Sequence, residues 1–102
     1  AVGKDATIFF DGGIMRGTDV VKALSLGADV VGIGRLQGLA AAAGGSKAIY
    51  RMLELLELEI ITCLRLLGVN DITDLNSSLL TKDNSYGTLD ALSAFPLINE
   101  GY

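Results

Sequence analysis

Asp11-Gly12-Gly13-Ile14-Met15-Arg16-Gly17-Thr18-Asp19, answered further along by Gly32-Ile33-Gly34-Arg35, is the stretch on which the fold turns. Ahead of it, Ala6-Thr7-Ile8-Phe9-Phe10 is a short apolar run between polar residues, the pattern of a strand buried on both faces in a parallel sheet. Gly12 and Gly13 allow a sharp turn that leaves backbone N–H groups accessible. Thr18 or Asp19 can cap the helix that follows, whose apolar face is Val20, Val21, Leu24 and Ala23. Gly27 suits the position that ends such a helix. Ala28-Asp29-Val30-Val31-Gly32-Ile33 then reads as a second buried strand closing on Gly34-Arg35. Strand, helix and strand within about thirty residues make a βαβ unit, whose crossover is right-handed in ~98% of cases.

Beyond Arg35, residues 36–43 are small and apolar, predicting a short helix or a loop cover. Gly44-Gly45-Ser46 breaks that segment, and Ser46 can cap the longest element, a helix over residues 47–67. At about 1.5 Å per residue such a helix is ~31 Å long. Ile49, Met52, Leu53, Leu56, Ile60, Cys63 and Leu67 fall on one face at helical spacing, with Lys47, Arg51, Glu54, Thr62 and Arg65 opposite. Leu58 and Ile61 nevertheless lie on the polar side, and Leu55 and Leu66 on a flank. A helix apolar nearly all round needs cover from more than one direction, and two strands with one short helix cannot supply it. Gly68 ends this helix, and Asn70 or Asp71 starts a short amphipathic one through Ile72 and Leu75. After Asn76 the chain turns polar, with weak helical propensity over residues 89–94 and then Phe95-Pro96-Leu97-Ile98. The apolar content of residues 81–102 predicts a tail laid over the same body or over a neighbouring subunit.

Composition narrows the functional classes. The chain has 102 residues, half of them hydrophobic, and a formal net charge of −4. An acidic balance without basic clusters argues against nucleic acid or an anionic membrane as the main partner. No apolar run approaches the ~20 residues of a membrane span, and no leader sequence is recognisable. The single cysteine, Cys63, excludes an internal disulfide and fits a reducing, cytoplasmic compartment. Histidine is absent altogether, which removes the commonest general base and metal ligand.

What the glycine loop and the Gly-Arg pair can do together is hold a phosphate. Phosphate oxygens are bound by converging backbone N–H groups, by a helix N-terminus and by arginine. Gly12 and Gly13 permit close backbone approach, the helix after Gly17 offers its N-terminus, and Gly34-Arg35 brings a guanidinium from the neighbouring strand end. Two glycines alone equally suit a tight βα turn; the matched Gly-Arg pair points to the anion. Asp11 either caps its loop or bonds a polyol hydroxyl, since its charge would repel the phosphate. Arg16 is either a second phosphate ligand or a surface charge. Asp71, Asp74 and Asp83 lack the spacing of a calcium loop, Glu54, Glu57 and Glu59 do not share one helix face, and Cys63 lies on the apolar stripe.

These residues, Asp11 to Leu24 with Leu26-Gly27-Ala28 and Gly32-Ile33-Gly34-Arg35, resemble the C-terminal part of the FMN-dependent α-hydroxy acid oxidases and dehydrogenases, a family that includes glycolate and lactate oxidases. The likeness continues through the long acidic helix, Leu66-Leu67-Gly68-Val69 and Ile72-Thr73-Asp74-Leu75, covering residues 6–80. It implies an α/β fold: the last two βα units plus the closing helix of a (β/α)8 barrel, incomplete by itself. Residues 1–80 would belong to that FMN-binding barrel and 81–102 to a tail. It further implies FMN as cofactor, held by Asp11, Gly12, Gly13, Ile14, Met15, Gly34 and Arg35. Family members carry an arginine where this chain has Met15 and a proline where it has Leu36.

The family oxidises a small 2-hydroxy acid to a 2-oxo acid, taking the hydroxyl proton with a histidine that lies earlier in sequence. This chain has no such base, so no catalytic residue is assigned to it. A complete barrel takes ~250 residues. The expected partners are therefore the N-terminal part of the barrel, as a cleaved or separate chain, the hydroxy acid, and further copies in an oligomer. Two alternatives stay open at this point: a non-catalytic, self-associating module that binds a phosphate ligand or other proteins, and part of another phosphate-binding barrel enzyme similar to IMP dehydrogenase.

Overall fold

The computed structural model describes residues 3–82. A 3-10 turn at Gly3–Asp5 precedes four main elements: β1 (Phe9–Asp11), α1 (Gly17–Ser25), β2 (Val30–Gly32) and α2 (Arg35–Leu67). The two strands pair in parallel with Phe9 opposite Val30, Phe10 opposite Val31 and Asp11 opposite Gly32. The chain is thus two consecutive βα units, and the loops leaving both strands emerge side by side at one edge of the sheet.

The strands are shorter than the apolar runs that predict them, and the cause is local. Ile8 donates its amide to Asp29 Oδ2 at 2.8 Å, so a carboxylate takes the place of a ladder carbonyl. The Ile8 carbonyl in turn accepts from the Asp29 and Val30 amides at 2.8 and 3.2 Å. Regular pairing begins only at Phe9. Nor are the strands buried on both faces as expected: Phe9 is 74% exposed, and Phe10 and Val30 are exposed as well. Two strands have two open edges, and among the described residues nothing covers the second face of this sheet.

α1 begins at Gly17, two or three residues earlier than Thr18 or Asp19 as a cap would place it. Arg16 is its extended N-cap, and Asp19 sits inside the first turn. Val21 and Ala23 are buried, with Val20 and Leu24 half-buried, so the predicted apolar face is the one used. The helix stops at Gly27 (φ 108), whose amide bonds to the Leu24 carbonyl while the Ala28 amide reaches that of Ala23. Such a reversal needs a left-handed residue, which glycine adopts without a Cβ clash. Buried Ser25 donates its hydroxyl to the Val21 carbonyl at 2.7 Å.

The second expected strand, residues 28–33, is trimmed to Val30–Gly32, and Arg35 just beyond it is the first residue of α2. The predicted short segment and long helix are both present, joined through a break at Gly44 and Gly45, where Gly45 turns left-handed (φ 63, ψ −145). Past the break, Met52 and Leu56 are buried and Ile49, Ile60 and Cys63 half-buried, whereas Leu53 and Leu67, expected on the same stripe, are exposed. Leu55, Leu58 and Ile61 are exposed too, Leu58 by 58%. α1 packs chiefly against α2, and the small core consists of Ile14, Val21, Ala23, Met52 and Leu56. Gly68 (φ 72) closes α2, and Asp71 and Asn76 cap two 3-10 turns, Ile72–Asp74 and Ser77–Leu79, by accepting the Thr73 and Ser78 amides. None of the described helices is long and apolar enough to cross a membrane. The tail from Asp83 onward, with the helix expected over 89–94, lies outside the described residues.

Candidate functional site

The loop leaving β1 carries the two glycines in the left-handed region, Gly12 at φ 118 and Gly13 at φ 72. A Cβ placed on either would touch nothing within 4 Å, so backbone conformation and not crowding requires glycine, and the space above both is open. Ile14 drops into the core and anchors the loop from below, at 6% exposure. Met15 is half-buried. From the adjacent strand, Gly34 forms the N-cap of α2 and Arg35 opens it, with no acidic residue in the first turn and no side chain capping it. Asp11 and Gly32, paired across the sheet, bring the two loops together; a Cβ on Gly32 would lie 3.4 Å from the Asp11 carboxylate.

Between them is a cleft of about 240 Å³ whose walls are Asp11, Gly12, Gly13, Ile14, Met15, Gly34 and Arg35. The seven residues expected to hold the cofactor therefore meet at one place, while Arg16 does not join them. Among the described residues, Arg35 is the cleft's single cationic side chain and Asp11 its single anionic one. Its walls are glycine backbone, the first turn of α2, one guanidinium and one carboxylate. Such a surface can bind an anion on one side and a hydroxyl on the other.

The N-terminus of α1, expected to face the anion, is already occupied. Asp19 Oδ2 accepts the amides of Met15 and Arg16 at 3.0 and 2.9 Å. The next amide, that of Gly17, goes to Glu59 Oε2 on α2 at 2.6 Å, while Glu59 Oε1 takes Arg16 Nε at 2.9 Å. Arg16 is thus a tie between the two helices and not a wall of the cleft. Two carboxylates answer the positive end of α1, which leaves the first turn of α2 as the helix terminus bordering the cleft.

Sequence reasoning missed Glu59. The sequence shows it only as one of three glutamates that do not share a helix face, and nothing local ties it to a glycine 42 residues away. Donation from the Gly17 amide, helped by the Arg16 guanidinium, holds the Glu59 carboxyl below its usual pKa of 4.5, against a smaller opposing effect of burial. A carboxyl depressed on folding contributes stability that is complete above its unfolded value and is lost as pH falls through the folded one. Acid unfolding of the wild type should therefore steepen below about pH 4.5, and Glu59→Gln should flatten that part of the stability profile. A variant with the same acid limb as wild type would place the acid sensitivity elsewhere.

Comparison with known proteins finds relatives over most of the chain. Residues 1–82 match the family model described as FMN-dependent dehydrogenase. A cytochrome-type L-lactate dehydrogenase of Wickerhamomyces anomalus is 51% identical over 73 residues, covering 72% of this chain and 13% of that protein. A 2-hydroxyacid oxidase of Dictyostelium discoideum is 40% identical over 79 residues, 78% of this chain and 20% of that one. The chain thus spans a fifth or less of these relatives' length. Among solved structures, a flavocytochrome b2 variant superposes with a TM-score of 0.72 at 40% identity, over 94% of this chain and 25% of that one.

Proposed function

The chain belongs to the FMN-dependent dehydrogenase family, and from that premise we propose that it is the C-terminal portion of an enzyme oxidising an α-hydroxy acid to a 2-oxo acid, its own task being to hold the phosphate end of FMN. The carrying observation is the meeting of two adjacent βα loops on one cleft. The residues present fit a phosphate. Gly12 and Gly13 leave open space where side chains would stand, the first turn of α2 has no acid in it, and Arg35 begins that helix on the cleft wall. Arg35 and the glycine amides would bind the phosphate oxygens, while the Asp11 carboxylate, which would repel them, suits a hydroxyl of the cofactor's polyol chain.

When bound, FMN would supply the redox chemistry. The contribution of this chain is geometric, because anchoring a remote phosphate fixes the reactive end of the same molecule. With no histidine of its own, the chain leaves the proton-abstracting base to residues outside it. The uncovered faces support a larger whole: the second face of the sheet and Leu55, Leu58 and Ile61 on α2 are apolar surface that the remaining units of a (β/α)8 barrel would bury. In that barrel these two βα units would come last, with residues 81–102 packing over it or over a neighbouring copy.

Mass spectrometry and flavin absorbance of the native preparation test the proposal together. The expected result is bound flavin and a companion polypeptide, or a longer form of this one, that carries the remaining strands and a histidine. A homo-oligomer of this chain without flavin would instead identify a non-catalytic, self-associating module.

A further inference from the structure

Three consecutive amides on the limb that leaves the cleft are held by two carboxylates: those of Met15 and Arg16 by Asp19, and that of Gly17 by Glu59. Met15 is itself a wall of the cleft. Asp19 belongs to α1 and can only fix the limb relative to its own helix. Glu59 belongs to the segment of α2 after the break at Gly44 and Gly45, and it lines one groove with Met15 and with Leu36 and Leu39 of the segment that begins at Arg35. Its carboxylate therefore ties the glycine loop to the groove where the two segments of α2 meet, next to the segment that opens with the cleft's cation. The join is close as well as polar, since a Cβ on Gly17 would fall 2.5 Å from that of Glu59.

Resting on the phosphate role proposed for the cleft, we infer that Glu59 is a positioning residue for the anion site, setting the separation between the Gly12–Gly13 loop and Arg35 by pinning Gly17 to α2. It touches no ligand. By occupying the N-terminus of α1 it also directs an incoming anion to the other wall, where Arg35 and the first turn of α2 are. Ligands with a phosphate monoester should depend on it, and the same ligands without the phosphate should not.

FMN and riboflavin provide that comparison, because they share the ring and the ribityl chain and differ in the phosphate. Both are titrated into the native protein, with any chain that copurifies, as wild type, Glu59→Ala and Glu59→Gln. Glu59→Ala should lower the preference for FMN over riboflavin about tenfold, the effect of one well-placed hydrogen bond, and leave riboflavin affinity unchanged. Glu59→Gln, whose amide oxygen can still accept from Gly17, should recover most of the preference. An undiminished preference in Glu59→Ala, or an equal loss for both ligands, overturns the inference and assigns Glu59 to general stability. If that variant does not fold, Glu59→Asp serves in its place: its shortened arm should lower the preference, and an unaltered preference overturns the inference. A wild type that prefers neither ligand refutes the phosphate role itself, and the inference with it.

Discussion

Gly17→Ala is expected to destabilise the protein by about 3 kcal/mol or more, at the upper end for overpacking a close contact. An added Cβ would stand 2.5 Å from Glu59 Cβ, 2.8 Å from Ile60 N and 2.9 Å from Glu59 C. Two of those three atoms are backbone in the middle of α2 and cannot rotate away. The helices must separate, and separation pulls the Gly17 amide from the Glu59 carboxylate and opens the core that Val21, Met52 and Leu56 form. Backbone preference works the other way, since alanine favours a helix by about 1 kcal/mol over glycine, so the clash must exceed that gain before any loss is seen. Gly38→Ala is the control: it lies inside α2 where a Cβ meets nothing within 4 Å, and it should stabilise by about 1 kcal/mol. Urea unfolding of both variants gives the signs directly. Equal and small shifts would mean that α1 and α2 are not held at the observed distance.

The contrast between these glycines explains how much of the molecule was legible in advance. Gly12, Gly13, Gly27 and Gly68 announce themselves because each ends an apolar segment, and each is left-handed for a local reason. The cleft follows from them, because parallel βα units bring successive strand ends to one edge whatever the rest of the protein does. Gly17 carries no such signal. Its requirement comes from a helix more than forty residues on, and neither its closeness to Ile60 nor the use of Glu59 as a cap is written in the spacing of residues 11–19. The N-terminus of α1 was half legible for the same reason: local sequence offers Asp19, which does hold the Met15 and Arg16 amides, whereas the Gly17 amide goes to Glu59 on α2. The early end of β2 was likewise hidden, since Ile33-Gly34 is as apolar as the strand before it, and only the backbone at Gly34 separates strand from helix. The excess of apolar residues around α2 was legible, and its consequence is visible as the exposed Leu55, Leu58 and Ile61.

Arg35→Ala should weaken FMN retention by about 2 kcal/mol, or roughly thirtyfold, the usual worth of a hydrogen bond to a charged group. The size of the effect follows from how few cations the cleft has. Arg16, the arginine of the glycine loop, is committed to Glu59, and Met15 occupies the remaining wall without a charge. Among the described residues no second cation lines the cleft to share a phosphate with the guanidinium, and what these residues would still offer after its removal is glycine amide and the first turn of α2. Those are partial charges, strong at short range but weaker than an ion. Arg35→Lys separates charge from shape: the ammonium keeps the charge and loses the planar fork, so its affinity should fall between those of alanine and wild type. Riboflavin binding should be indifferent to both changes. Arg35 also stands at the first helical position, where either substitution suits a helix, so a fall in flavin retention without a fall in unfolding midpoint identifies a ligand contact. Unchanged flavin occupancy in both variants would make Arg35 a structural residue and return the anion to the glycine amides alone.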